Sequence, residues 1–225
     1  ALIKEWHKTL HAMELDYQIL AIDDGSQDQT VSRLYELQEQ VPPLRIIQQK
    51  NAGHGVAIYH GYSLATQSRG EENHWVLQID SDRQISPEDF PKLWKLKDRA
   101  AIVTGIRSPR RDPFMRRALS RLLELLLVGL FDVSFRDPNV PYRLMTSSFL
   151  KESLALIPPQ TFAPNILITL LAAKRKQLLQ VPVQHFARKE GEGSISLKNL
   201  VSIGTTCLFQ TLRFYFKIRA KEKTS

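Results

Sequence analysis

The sequence predicts an α/β fold: one mostly parallel sheet with helices on both faces. Three observations carry that expectation. Short apolar, β-rich runs alternate with segments of helical period, most of the runs stop at polar or acidic residues, and no internal repeat or low-complexity linker interrupts the order. With 225 residues, 43% of them hydrophobic, the chain is long enough for one substantial core, and a single domain over 1–225 is expected.

The elements follow in order. Leu2, Ile3, Trp6, Leu10 and Met13 recur at helical spacing, and "YQILAI" (17–22) is a strand that stops at two aspartates. A helix near 29–39, a strand at 44–48, a helix near 56–68 and a strand at 74–79 come next. A helix after Pro87 and a strand at 100–105 complete the regular alternation. Beyond Gly105 the texture changes to an arginine-rich segment, a long helix around 115–130, an irregular stretch with a short strand at 141–145, and a strand at 178–183. The last expected element is a basic amphipathic helix from 197 to 217 or 219.

Composition narrows the function. Thirty-one Lys and Arg against 23 Asp and Glu give +8, which favours a phosphate ligand, nucleic acid or an acidic membrane face. The single cysteine, Cys207, excludes an internal disulfide framework and a thiolate zinc cluster, and no N-x-[ST] sequon occurs, so a reducing compartment is expected. The apolar tract 122–135 is broken by Glu124 and Asp132 and is shorter than the ~20 residues of a membrane span. The amino end has no signal-peptide layout and no initiator Met, which points to a fragment of a longer protein.

Three polar clusters fall at the carboxyl ends of expected strands, where open α/β sheets bind ligands. In "DDGSQDQT" (23–30), Ser26 and Gln29 fit a capping box and Gly25 a tight turn, but a cap does not require Asp23 and Asp24 together. In "NAGHGVA" (51–57) the glycines let backbone amides approach an anion at a helix start, although no P-loop Gly-Lys-Ser/Thr follows and a plain glycine turn explains it as well; His54 has no second ligand residue beside it. In "DSDRQ" (80–84), alternate positions on an extended backbone aim Asp80, Asp82 and Gln84 to one side, a donor set that suits Mg²⁺ or Mn²⁺; a solvated turn is the ordinary alternative. Asp89 reads as a first-turn acid. Arg107, Arg110, Arg111, Arg116, Arg117 and Arg121 follow closely, then Arg136 and Arg143; arginine forks match phosphate oxygens, while Arg110 and Arg111 are expected to face solvent.

In this order, "DDGSxDxT", "NxGxGxA", "DSDxQ", Gly105 with Arg107, "DPNVPYR" and "VPVQHFAR" resemble the family 2 glycosyltransferases of the GT-A (Rossmann-like) fold, in particular the dolichyl-phosphate mannose synthase and polyprenyl-phosphate glycosyltransferase type. The resemblance runs from about Tyr17 to Ser196. It implies a nucleotide site at Asp23, Asp24, Gly25, Ser26, Asn51, Gly53, Gly55, Asp80 and Ser81. It implies a divalent cation, Mg²⁺ or Mn²⁺, on Asp80, Asp82 and Gln84, and an acceptor-phosphate site at Arg107, Arg117, Arg121 and Arg188, with Ser194 or Ser196 in place of the family's "GESK". Asp82 and Arg117 are the expected catalytic groups, with Asp137 as the carboxylate placed for a base.

The chain begins at the helix that would follow the family's opening strand, so the first strand is absent. That strand should be central, and its loss leaves unpaired backbone groups: either the natural protein is longer or the chain is a degraded relative. The resemblance implies inverting sugar transfer from a UDP- or GDP-sugar donor to a lipid phosphate, at the cytoplasmic face of a membrane or with a membrane-anchored partner. The alternatives are a soluble transferase acting on a glycan or protein hydroxyl, a nucleotidyltransferase, and a non-catalytic module of the same fold. Nucleic acid is not an expected partner, because the arginines are not interleaved with aromatics in a recognised motif.

Overall fold

The computed structural model describes residues 1–67, 74–108, 114–186 and 197–222. Helix α1 (Leu2–Ala12) is followed by β1 (Ile19–Asp23), α2 (Thr30–Gln38), β2 (Leu44–Gln48), α3 (His54–Gln67) and β3 (Trp75–Ile79). A 3₁₀ turn at Pro87–Asp89 runs into the short α4 (Phe90–Trp94), then come β4 (Ile102–Arg107) and α5 (Phe114–Phe131). The chain ends with β5 (Tyr142–Thr146), α6 (Ser147–Leu156), α7 (Pro164–Lys174), β6 (Leu178–Val183) and α8 (Leu197–Glu222).

The strands fall in two groups. β1 and β2 pair in parallel, Asp23 opposite Gln48, while β3, β5, β4 and β6 lie side by side in that order. β5 runs antiparallel to both neighbours and β6 parallel to β4, so three of these four strands share a direction. Among the described residues no ladder joins the two groups, and α3 packs against both β1 and β3.

The pleat sorts the core, because successive side chains point to opposite faces. Val103, Tyr142, Leu144 and Val183 face α1 and α4, where they meet Trp6, Leu10, Phe90 and Leu93. Val76, Ile102 and Met145 face the other way, into a larger cluster built by α3, α5, α6, α7 and α8. The helices therefore cover both faces, as the alternation predicts.

Two helices occupy the stretch that reads as irregular. Thr146 caps α6, its side chain accepting from Phe149 N, and Pro164 opens α7. α7 is buried on nearly every side, from Pro164 to Ala172, so it shows no amphipathic period.

The final helix lies where it is expected, over Leu197–Glu222. Cys207, Thr211, Phe214 and Ile218 recur at helical spacing and are buried, so this stripe of α8 serves core packing. Cys207 is held there as a neutral thiol, burial pushing its pKa up to about 11. Among the described residues no helix is long and apolar enough to cross a membrane.

Candidate active site

The first side of the site begins where β1 and β2 end. Gln49 Nε2 and Ala52 N donate to Asp24 Oδ1 at 2.7 and 2.9 Å, and Gly53 N donates to Oδ2 at 2.9 Å. Burial pushes the Asp24 pKa up, but these three donors, with His54 nearby, outweigh it and hold the carboxyl below its ordinary value. Asp24 thus shapes the 49–53 turn, and His60 Nδ1 lies 2.6 Å from Gln49 Oε1 behind it.

Gly25 adopts φ +79°, and a Cβ there would lie 2.8 Å from Asn51 N, so the two turns can touch only with glycine at 25. Gly53, at φ +94°, has open space beside it, whereas a Cβ on Gly55 would meet the backbone oxygens of Thr161 and Phe162. The structure thus brings Asp24, Gly25, Asn51 and Gly53 together, and uses Gly55 to seat α3.

The expected capping box does not form. Ser26 N donates to the buried Asp23 Oδ2 at 3.2 Å, and α2 starts only at Thr30, whose N–H donates to Asp28 Oδ1 at 2.9 Å. Ser26 belongs to the Asp23 turn, and its side chain stays in the exposed part of the loop.

At the end of β3 the backbone is not extended as the alternate spacing predicts. Ser81 and Asp82 form a turn and Arg83 sits at φ +57°, with its guanidinium on Glu5 of α1. Gln84 N donates to Asp82 Oδ1 at 3.1 Å, so the turn folds back on its own acid. Gln84 is drawn away to the end of β6, with Phe186 N donating to its carbonyl at 2.8 Å and its side-chain Nε2 reaching Phe186 O at 3.4 Å.

Asp80 is braced from the core. Tyr62 OH donates to Asn165 Oδ1 at 2.7 Å, Asn165 Nδ2 to Gln78 Oε1 at 3.2 Å, and Gln78 Nε2 to Asp80 Oδ1 at 3.0 Å. Burial raises the Asp80 pKa, Asp82 adds to the rise, and His54, with Nε2 3.9 Å from Oδ2, only partly opposes it. Here a carboxylate is desolvated beside a second acid, and a cation would relieve both. Among the described residues no three His, Cys, Asp or Glu side chains gather as a metal site. Asp80 and Asp82 fit a hard cation such as Mg²⁺ or Mn²⁺ that takes most of its shell from water and phosphate oxygens.

The second side of the site is built from buried charge. Arg107, at the end of β4, donates from Nε to Asp137 Oδ2 and from Nη2 to Asp137 Oδ1, both at 2.7 Å, with each side chain 8% exposed. This corrects two expectations. Arg107 spends its fork on a protein carboxylate, and Asp137 is a buried ion-pair partner, not a base open to an incoming group.

Glu124 of α5, the acid that breaks the leucine tract, is buried, accepts from Asp137 N at 3.0 Å and pairs with Arg121. Arg121 and Arg117 are exposed on α5. Arg143 is fully buried beneath this loop, donating to Pro138 O at 3.0 Å, Val140 O at 2.9 and 3.2 Å, and Asn165 O at 3.0 Å. Its bonds fix the 137–140 turn, which Asp137 enters at φ +46°. Burial lowers the Arg143 pKa, with Tyr62, Asp137 and Asp80 opposing that shift.

Glu124, Tyr62 and Asn165 were not among the sequence candidates, and Arg143 was named only as one of the arginines whose fork could match phosphate oxygens. A lone arginine inside the apolar run "PYRLM" and a lone acid inside "RLLELLL" were the available signals. Asp89, expected as a helix-start acid, is buried and accepts from Gln184 N at 2.6 Å. Arg110, Arg111, Arg188, Ser194 and Ser196 lie outside the described residues.

Solved structures share this architecture. Glucosyl-3-phosphoglycerate synthase from Mycobacterium tuberculosis, in complex with Mn²⁺, UDP and glucosyl-3-phosphoglycerate, superposes with a TM-score of 0.61 at 16% identity over 95% of this chain and 75% of its own. The same enzyme with Mn²⁺, UDP-glucose and phosphoglyceric acid gives 0.65 at 17% identity, over 95% and 75%. At such identities the likeness is one of fold, the GT-A fold.

In sequence, the undecaprenyl-phosphate 4-deoxy-4-formamido-L-arabinose transferase of Edwardsiella ictaluri is 30% identical over 217 residues, 93% of this chain and 63% of that protein. The enzyme of the same name from Enterobacter sp. is 30% identical over 213 residues, 91% and 62%. The chain therefore spans a little under two thirds of these relatives' length. The family model "Glycosyl transferase family 2" matches residues 2–155, from the first helix to the end of α6, and the chain belongs to that family.

Proposed function

We propose that this chain transfers a sugar from a nucleotide-diphosphate sugar, UDP- or GDP-linked, to a polyprenyl phosphate at a membrane surface, with inversion. One observation carries the reading: the desolvated Asp80, with Asp82 beside it, lies 3.9 Å from His54 of the glycine-rich turn and within electrostatic reach of Arg107. The names of the relatives support the acceptor class.

Asp24 takes up the amides of Ala52 and Gly53 and so holds the 49–53 turn in the shape that receives the donor's nucleotide, while Gly25 keeps that turn close. Asp80 and Asp82 would hold Mg²⁺ or Mn²⁺, which supplies charge neutralisation for the departing diphosphate. In the transfer, an acceptor phosphate oxygen forms a bond to the anomeric carbon as the bond from that carbon to the diphosphate breaks, and the electron pair leaves with the nucleoside diphosphate.

An acceptor phosphate is already anionic near neutral pH, so no general base is needed. That agrees with an Asp137 taken up by Arg107. Arg117 and Arg121, exposed on α5, are the groups assigned to the acceptor phosphate. Arg188 and Ser194 or Ser196, which lie outside the described residues, are assigned to the same task.

The test is nucleoside diphosphate release and glycolipid formation by the purified protein with Mn²⁺, a panel of UDP- and GDP-sugars, and short-chain polyprenyl phosphates. The expected result is turnover that requires both cation and lipid phosphate. Turnover with free sugars and none with polyprenyl phosphate assigns a hydroxyl acceptor instead, and calorimetry without cation-dependent UDP or GDP binding removes the enzyme reading.

A further inference from the structure

A polar row crosses the four-stranded sheet next to the edge that carries Asp80. Gln78, Arg143, Thr104 and Gln180 stand opposite one another on β3, β5, β4 and β6. One step back along the pleat, Val76, Met145, Ile102 and Leu178 occupy the same strands, in or against the large core. Much of the polar row serves the 136–140 turn: Arg143 donates to Pro138 O and Val140 O, and Gln180 pairs with Arg136 N and O at 2.9 and 2.8 Å. Gln78 serves the other end, donating to Asp80.

Over this row lies α7, where Asn165 and Thr169 are the polar side chains between Pro164 and Ala173. They are four positions apart and share one helical face. Arg143 Nη1 donates to the backbone oxygen of Asn165 at 3.0 Å, a bond that any residue at 165 would accept. The amide side chain of Asn165, a residue only 1% exposed, therefore answers to its other two partners, Gln78 and Tyr62.

The direction of these bonds is fixed from one end. Asp80, ionised as a cation ligand must be, can only accept, so Gln78 turns Nε2 toward it, 3.0 Å from Oδ1. Gln78 Oε1 then faces the core and requires a hydrogen-bond donor, which Asn165 Nδ2 supplies at 3.2 Å. Asn165 Oδ1 in turn accepts from Tyr62 OH at 2.7 Å. Without the Asn165 amide, the Gln78 side chain is free to turn over and set its oxygen against the carboxylate.

We propose that Asn165 is a positioning residue for the cation site: by donating to Gln78 Oε1 it locks the Gln78 amide with Nε2 on Asp80, and so holds that carboxylate in the orientation that meets Mg²⁺ or Mn²⁺. Asn165 touches neither cation nor substrate and acts through Gln78, as the outer partners of metal ligands do. The claim rests on the reading of Asp80 as a cation ligand, and adds to it a reason for a buried amide at the start of an apolar helix.

The experiment is titration of Mn²⁺ into the full chain with UDP or GDP present, followed by electron paramagnetic resonance of the bound ion. Tyr62 OH lies 3.4 Å from Gln78 Oε1, close enough to replace Asn165 once its own acceptor is lost, so the first variant is Asn165→Leu/Tyr62→Phe. It is compared with Tyr62→Phe, with Gln78→Leu and with the triple variant. Thr211→Val is the control, since it deletes a buried hydroxyl bonded to Cys207 O on α8, away from the chain. Thermal melts set a temperature at which every protein is folded. Asn165→Ser, milder on the fold and too short to reach Gln78, carries the test if the double variant does not fold.

Asn165→Leu/Tyr62→Phe and Gln78→Leu are each expected to weaken Mn²⁺ binding about tenfold, the lower end for loss of an outer partner. The triple variant should lose no more than either, because the residues act in series. Asn165→Ser should lose about as much, Tyr62→Phe less than about threefold, and Thr211→Val less than about twofold.

Unchanged affinity without the Asn165 amide, additive losses in the triple variant, an equal loss in Tyr62→Phe or Thr211→Val, or no Mn²⁺ binding by wild type overturns the proposal. Transfer to a short-chain polyprenyl phosphate separates it from the wider reading. Wild type that binds Mn²⁺ with these dependences yet transfers no sugar defeats the proposed activity and leaves the role of Asn165 standing.

Discussion

The two sides of the site are made by different means. The donor side is local: Asp23, Asp24 and Gly25 touch a turn only a strand away, and backbone amides make most of its bonds. The acceptor side is long-range, since Arg107, Asp137, Glu124 and Arg143 come from four elements and meet through buried side chains. A backbone-built turn tolerates changes in neighbouring side chains, whereas a buried ion pair transmits the loss of any member, because removing one partner strands a charge out of water.

The largest effect is expected from Asp82→Ala. Asp82 is partly exposed and bonded only within its own turn among the described contacts, so its loss should leave the fold intact while turnover falls roughly 10³-fold. Near-normal turnover would remove the cation from the donor side altogether and sever it from the acceptor platform.

Next comes the buried pair. Asp137→Asn or Arg107→Gln should each destabilise the protein by about 3–5 kcal/mol, read from urea unfolding, because the remaining charge keeps its burial and loses its fork. The double replacement Arg107→Met/Asp137→Leu should recover much of that stability without recovering transfer. If the single variants cost no more than a surface pair, under about 1 kcal/mol, the contrast between the two sides fails.

Glu124→Gln sharpens the comparison. The amide oxygen can still accept from Asp137 N, but it no longer fixes Arg121 by charge. The KM for the lipid phosphate should rise about tenfold, the scale of one charge-assisted hydrogen bond, while the donor KM stays put. Equal changes in both would make Glu124 a plain structural residue.

The same contrast explains what the sequence made legible. β2 and β6 fall where the apolar runs place them, and the glycine-rich turns announce themselves because φ > 0 and close approach demand particular residues. α7 escaped because burial on all sides erases the period that marks a helix, and α6 because a short capped helix beside it shares the same apolar background. Arg107 and Asp137 were visible as residues but not as partners: nothing in the spacing of two charges thirty positions apart says that each will neutralise the other. The turn at 81–83 was likewise hidden, since alternate acids look the same on a strand and in a reverse turn.

The smallest effects concern pH, and here two donor-side carboxylates oppose one another. Asp24 has a lowered pKa: burial works against the shift, but the amides of Ala52 and Gly53 and the Gln49 side chain prevail, so its bonds stabilise the fold above the ordinary carboxylate range and are lost as pH falls through the folded value. Asp80 has a raised pKa from burial, reinforced by Asp82, so ionising it costs stability as pH rises from the ordinary value through the folded one. Asp80→Asn should therefore raise Tm at neutral pH in the absence of divalent cation and abolish the further rise that Mn²⁺ with UDP is expected to give wild type, whereas Asp24→Asn should lower Tm at neutral pH and matter less near pH 3. A lower Tm for Asp80→Asn would mean that the carboxylate is held by its neighbours and not strained by them. In that case the donor side, like the acceptor side, would be built on satisfied charge.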